Sequence, residues 1–345
     1  MVGVVGQFPE VAAKGIRLRK FGQEIIKALG GKKVHPAFSA PGGVTDPLPE
    51  WERDRLLAGF REAHETWKVA VDLLLDWVSR NLDQVRTFGN FSSHYLGLVD
   101  ENGRLNLYDG RLRMTGPEGK TQVEFNPADY LEHLSEHVEP WSYMKFPFYK
   151  IVGWPEGVYR VGPLARLYAC DGLTTPRAAA ELEKFKKLTE NELRGGSLLY
   201  HYARLIELLY ALEKAEELLK DGRICRTEVK VSGAPLHREG VGVIEAPRGT
   251  LIHHYWVDKN GAMEKANLIV ATGHNNAAMN RAVSLVAKEY IKNGEVREGL
   301  LNRVEGAIRC YDPCLSCATH ALGRMPLTAA IFGPKGELLN EVRRD

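Results

Sequence analysis

Asp312-Pro313-Cys314-Leu315-Ser316-Cys317-Ala318-Thr319-His320 is the most concentrated chemistry in the chain. Two thiols spaced C-x-x-C can face one centre, and the imidazole that follows can add a ligand. Thiolates are soft donors that suit zinc, nickel or the iron of an iron–sulfur cluster. Pro313 has no amide hydrogen and helps fix the path of the backbone into the first thiol. A structural zinc site would need a second cysteine pair, and Cys170, Cys225 and Cys310 form none. A redox dithiol would need a thioredoxin-like βαβ setting, which the flanking sequence does not offer.

Working outward, the 345 residues are 44% hydrophobic and 26% charged, with a net charge of +2. Length predicts about two domains of roughly 150 residues each, or one large domain, with a sizeable core either way. The charge balance excludes a highly charged tail protein and a strong electrostatic nucleic-acid binder. Hydrophobic and aromatic content excludes disorder. The richest apolar run, Val69–Val78, is broken by Asp72 and Asp76, well short of the ~20 residues of a membrane span. Five cysteines make no disulfide scaffold. The opening Met1-Val2-Gly3-Val4-Val5-Gly6-Gln7 lacks the basic and long apolar regions of a secretory signal. With free cysteines, this predicts a reducing, cytoplasmic setting.

Periodicity predicts a helix over 14–29, closed by Gly30-Gly31, then a breaker-rich loop over 34–44. Leu56, Phe60, Ala63, Trp67, Val71, Leu74 and Val78 recur at helical steps. They predict one helix from Pro49 of about 28 residues, ~42 Å long, which suggests a bundle. Residues 95–99, 105–108 and 123–125 read as strands, 127–138 as helix and 139–176 as extended loop. Two helices follow over 177–220, with Leu205, Leu208, Leu209, Leu212, Leu218 and Leu219 on an apolar face and Gly222 as a cap. Residues 223–256 read as strand and loop, 276–293 as helix, and the last 25 as two strand-like runs around Gly333–Gly336. Helices and strands do not alternate, and no G-x-G-x-x-G or Walker pattern opens a helix, so a doubly wound sheet is not expected. The predicted class is mainly α with smaller β regions (α+β).

The motif at 312–320 resembles the C-terminal nickel motif of nickel–iron hydrogenase large subunits. Its form is similar to that of the cytoplasmic, bidirectional branch, which includes NAD-reducing, deazaflavin-reducing and viologen-reducing or sulfhydrogenase-type enzymes. Four further stretches resemble the same branch: Glu139-Pro-Trp-Ser-Tyr143, Tyr159-Arg-Val-Gly-Pro-Leu-Ala-Arg166, His201-Tyr-Ala-Arg-Leu-Ile-Glu207 and Glu245-Ala-Pro-Arg-Gly249. The likeness runs from about residue 8 to the end. It implies a long-helix bundle of the hydrogenase large-subunit kind.

The resemblance also implies a site. In the family, four cysteine thiolates hold nickel, two of them bridging to an iron that carries carbon monoxide and two cyanides. Cys314 would be a terminal nickel ligand, able to accept the proton when dihydrogen splits, and Cys317 a bridge. Arg248 would sit over the metal pair and bond one cyanide, and Pro247 would line the diatomic-ligand pocket. Thr272 would donate to the other cyanide, although it follows Ala271 where many relatives carry proline. His320 would bind a nearby magnesium or iron ion, with the backbone carbonyl at Leu268. His253, His254 and His274 read as structural or surface residues, and His35 as facing a small subunit. Cys310 reads as no ligand, and Cys170 and Cys225 as buried packing residues.

No iron–sulfur motif occurs in the chain, so electrons would pass to an iron–sulfur small subunit, then on to a diaphorase or other acceptor. The family's early Arg-x-Cys-Gly-x-Cys pair is absent from these 345 residues. The expectation is a large subunit lacking roughly a hundred N-terminal residues, on a domain-size argument. A fragment, half of a split large chain and a metal-free relative are the three readings, and Cys314, Cys317 and His320 argue against the last. Residues 1–320 would form the large-subunit domain, and 321–345 a tail that a maturation endopeptidase removes after His320. The competing functions are a non-catalytic scaffold, akin to the quinone-site subunit of respiratory complex I, and a simple Cys/His metal-binding module.

Overall fold

Helix α1, Pro9–Gly30, ends at the predicted glycines: Gly31 adopts φ 74°, and its amide donates to the Lys27 carbonyl at 2.8 Å. The computed structural model describes residues 6, 8–142, 144–190, 193–231, 237–291, 298–314, 327–333 and 335–344. The breaker-rich loop folds into a small hairpin of β1, Ser39–Ala40, and β2, Gly43–Val44.

The single long helix expected after Pro49 is two helices, α2, Glu50–Leu57, and α3, Phe60–Arg80. The break falls at Gly59, where a Cβ would collide with the Phe21 ring of α1. There the Gly59 amide bonds the Leu56 carbonyl at 2.9 Å, one residue tighter than an α-helix. Phe21 then meets Phe60 edge-on at 5.0 Å. The seam otherwise holds: Leu56, Phe60, Ala63, Trp67, Val71 and Val78 are buried and Leu74 half-buried.

After α4, Leu82–Thr87, the chain enters the strands β3, His94–Val99, β4, Arg111–Thr115, and β5, Thr121–Phe125. The expected strand at 105–108 is absent. Leu105 makes one bridge to Val99, and the antiparallel partner of β3 is β4. Residues 127–138 are not one helix: a 3-10 turn and α5, Tyr130–His133, give way to β6, Leu134–Val138. β6 pairs with β7, Lys145–Tyr149, inside the stretch expected to be loop. That stretch also contains β8, Tyr159–Arg160, parallel to β3, and α6, Pro163–Ala169. All seven residues of α6 are buried, so it has no polar face to give a helical period.

The next two helices are α7, Pro176–Thr189, and α8, Leu199–Lys220. Gly222 is no left-handed cap; it opens a 3-10 turn, Gly222–Cys225. A three-stranded antiparallel sheet follows, ordered β11-β10-β9, from β9, Glu239–Ala246, β10, Gly249–Val257, and β11, Met263–Ile269. Then come α9, Ala271–His274, α10, Asn276–Tyr290, and α11, Glu298–Cys310, the last not expected from sequence. The two expected C-terminal runs are β12, Leu327–Phe332, and β13, Leu338–Arg344, which pair as an antiparallel hairpin.

The chain divides into two units. One comprises Met1–Arg80, Thr175–Glu181 and Leu205–His237. In it α1 packs on α3, and Trp67 Nε1 donates to the Leu205 carbonyl at 2.7 Å. The other comprises Asn81–Thr174, Leu182–Arg204 and Arg238–Asp345. Its core gathers Leu96, Leu112, Phe125, Tyr159, Val161 and Ile252, and α10 packs along α11. No described helix is long and apolar enough to cross a membrane. The predicted α+β class, rich in long helices, is the one observed.

Candidate metal centre

Every described residue of the predicted site belongs to the second unit. Strands β9 and β10 are joined by two residues, Pro247 and Arg248, because Gly249 pairs with Ala246. Gly249 takes φ 143°, and a Cβ on it would collide with Val161; a Cβ on Gly162, at φ 89°, would lie 2.7 Å from the Arg248 carbonyl. Two glycines at positive φ therefore let the turn and the start of α6 lie backbone to backbone. Arg248 projects from the tip, its side chain 37% exposed.

The approach to Cys314 is held from several sides. Arg204 Nη2 donates to the Cys310 carbonyl at 3.0 Å, where α11 ends. Tyr311 is buried, its ring 4.8 Å from Tyr200 and its hydroxyl donating to the Ala278 carbonyl at 3.4 Å. Asp312 takes the left-handed φ of 50°, a conformation that aspartate tolerates better than most residues. Arg248 Nε donates to the Asp312 carbonyl at 2.6 Å, with Asp312 Oδ2 at 3.5 Å. Two residues on, the Cys314 amide donates to Thr272 Oγ1 at 3.1 Å. Thr272 is buried in α9, and as an acceptor it still has its own hydrogen to give.

Arg248 and Thr272 thus both contact the 312–314 segment that carries Cys314. Pro247 stands beside Arg248 in the same turn. Leu268 lies on β11, opposite His253, and is exposed. It borders a cavity of about 430 Å³ that also touches Glu136, Lys145, Asn267 and Gly273. Cys317 and His320 lie outside the described residues.

His254 is buried between Tyr130, at 3.1 Å, and Glu239, at 2.9 Å, a structural role. His35 is exposed. Cys170 is buried, whereas Cys225 is half-buried beside Arg53. Cys310 is fully buried, which pushes its thiol up to about 12 and keeps it protonated.

Several residues that shape the site were not singled out by the sequence. Buried Arg166 of α6 and buried Glu245 of β9 pair at 2.7 Å beneath the Arg248 turn. The available signal was a charged residue inside an otherwise apolar, buried run, which demands a partner. Asn275 grips Val161, its Oδ1 accepting from the Val161 amide at 2.9 Å. The Tyr159 hydroxyl and His274 Nδ1 lie 2.6 Å apart, both residues fully buried.

Burial holds the His274 imidazole down to about 3. Burial, then the Arg204 guanidinium, holds His201 down to about 4. Both are neutral in the folded chain across a range where the unfolded chain, titrating near 6.5, binds protons. Stability is therefore full above about pH 6.5 and falls as pH drops toward 3. Melting temperature measured from pH 7 to pH 4 should decline, and His274→Gln should flatten part of that slope. An unchanged slope would contradict the role of His274.

The donor set fits one side of a soft-metal group. A fixed positive charge and a buried hydroxyl hold the two ends of the short segment that carries the cysteine. Among the described residues no three His, Cys, Asp or Glu side chains gather as a metal site. The sequence holds two cysteines in the motif, not four.

Comparison with known proteins identifies the family. Residues 77–320 match the family described as nickel-dependent hydrogenase. The NAD-reducing hydrogenase HoxS subunit beta of Cupriavidus necator is 42% identical over 358 residues, covering 100% of this chain and 72% of the relative. The vhu-type F420-non-reducing hydrogenase subunit of Methanocaldococcus jannaschii is 45% identical over 292 residues, covering 85% and 69%. The crystal structure of an NAD+-reducing [NiFe]-hydrogenase in the H2-reduced state superposes with a TM-score of 0.89 at 44% identity, covering 92% of this chain and 71% of that one. The Ni-Fe-Se hydrogenase of D. vulgaris Hildenborough, at 20% identity and a TM-score of 0.70 over 90% of this chain and 69% of that one, shares the fold.

Proposed function

The chain belongs to the nickel-dependent hydrogenase family as a large subunit, and from that premise we propose that its Arg248 turn, α9 and the 312–320 motif form one side of a nickel–iron centre for H2 ⇌ 2H+ + 2e−. The observation that carries this is the contact of Arg248 and Thr272 with the segment that carries Cys314, through the Asp312 carbonyl and the Cys314 amide. When bound, the group supplies a redox-active metal pair at which dihydrogen is cleaved.

Cys314 would hold nickel as a terminal thiolate, and its sulfur would take up the proton. Cys317 would share in holding nickel and iron as the bridging thiolate, and the iron would carry carbon monoxide and two cyanides. Arg248, always charged, would place its guanidinium over the pair and bond one cyanide. Thr272 would use its free hydrogen on the other, and Pro247 would wall the pocket. His320 would dock a magnesium or iron ion beside the Leu268 carbonyl. A four-thiolate set would need two further thiolates besides Cys314 and Cys317.

Electrons would leave to an iron–sulfur small subunit, then to a diaphorase or other acceptor, in the cytoplasm. The tail 321–345, which includes the β12–β13 hairpin, would be removed by a maturation endopeptidase after His320. Expression with its partner subunits and maturation proteins tests the proposal. Stoichiometric nickel, infrared bands of iron-bound carbon monoxide and cyanide, and hydrogen-dependent dye reduction are expected. Zinc alone would point to a Cys/His module and no metal to a scaffold; either result overturns the proposal.

A further inference from the structure

We propose that Arg166 and Glu245 are a positioning pair that aims the Arg248 guanidinium. The inference rests on the reading of Arg248 given above. Both side chains are sealed from solvent, 2% and 0% exposed, and joined at 2.7 Å. Arg166 does more than neutralise Glu245. Its Nη1 also donates to the Ala246 carbonyl at 2.8 Å, and its Nη2 to the Pro247 carbonyl at 3.3 Å. Glu245 Oε1 accepts from the Leu98 amide at 3.0 Å and from Thr250 Oγ1 at 2.8 Å.

The network therefore grips the backbone on the near side of the turn and, through Thr250, on the far side. Arg248 at the tip is the residue it leaves to reach outward, toward the Asp312 carbonyl. A buried ion pair is a weak source of net stability, and an apolar pair of equal volume would commonly serve as well. An apolar pair could not hold the Ala246 and Pro247 carbonyls. The planar fork of arginine can, and a lysine ammonium holding Glu245 cannot span both. Arg166 and Glu245 thus act on the site through Arg248.

The test is the Nε–H resonance of Arg248 in the full chain labelled with 15N-arginine, identified by its loss in Arg248→Lys. The short bond to Asp312 should place it downfield and slow its exchange with water. Arg166→Lys keeps the charge pair and loses the fork. It should move the resonance to the position of exposed arginines and speed exchange at least tenfold, with melting temperature retained. Thr250→Val, which removes one bond to Glu245, should shift it the same way by less, and serves if Arg166→Lys does not fold. An unmoved resonance in a folded variant overturns the proposal. In the assembled enzyme, Arg166→Lys should lower kcat about tenfold at unchanged nickel content and unchanged KM. Combined with Arg248→Lys it should add no further loss. Full activity in Arg248→Lys itself would refute the parent reading of Arg248 and leave the resonance result standing.

Discussion

Cys314→Ser is expected to abolish hydrogen turnover and strip nickel from the assembled enzyme while leaving the chain folded. The two halves of that result have different physical origins. Nickel is lost because a serine oxygen is a hard donor that stays protonated at neutral pH, and the motif's affinity for a soft metal rests on thiolate. The fold survives because residue 314 is fixed by its backbone. Its amide bonds Thr272 Oγ1, and the turn before it is held by Arg248 and Arg204. None of these bonds uses the side chain of residue 314. Nickel per chain by elemental analysis, dye reduction under hydrogen and a thermal melt check all three parts. Stoichiometric nickel in the variant would show that Cys314 is not a ligand.

Arg248→Lys is expected to reduce kcat by about 10²–10³ with nickel retained, the range found when a preorganised donor is removed from a site where charge develops. Lysine keeps the positive charge, so a purely Coulombic role would leave most of the activity. What it loses is the planar fork, which can bond Asp312 with Nε and still present Nη atoms outward. The Nε bond to the Asp312 carbonyl is already made in the structure, at 2.6 Å, and Asp312 holds a left-handed backbone there. The variant therefore also frees the residue that leads into Pro313 and Cys314. Turnover and nickel content measured together separate a catalytic loss from a loading defect. A variant within twofold of the parent would remove Arg248 from the site.

The parts of the site legible in sequence are those whose chemistry is local. Cys314 stands in a spaced motif, and Arg248 and Pro247 stand in a short turn between strand-like runs. Arg166 and Glu245 lie 79 residues apart and meet only because the β9–β10 turn lies against Gly162, just before α6. No spacing rule joins them. The fold shows the same division. The amphipathic face of α3 is written in its apolar period, but the break before it is not. Leu56 and Phe60 keep helical spacing across Gly59, and the interruption comes from Phe21 of α1. Helix α6 escapes detection for the opposite reason, since burial on every side erases the period that would reveal it. Strand β6 reads as helix in the sequence because its five residues follow directly on a real helical turn.

Connections on a protein surface ordinarily drift in length, gaining and losing residues at little cost. The Pro247-Arg248 connection is closed to that drift. One added residue would slip the pairing of β9 with β10 and turn alternate side chains to the opposite face, carrying Glu245 away from Arg166. Two added residues would preserve the face but lift the tip by up to ~7 Å, beyond reach of the Asp312 carbonyl. A library of insertions and deletions around the molecule should therefore find tolerance at many loops and none here, so that loop length, as much as residue identity, is part of how this protein encodes its site.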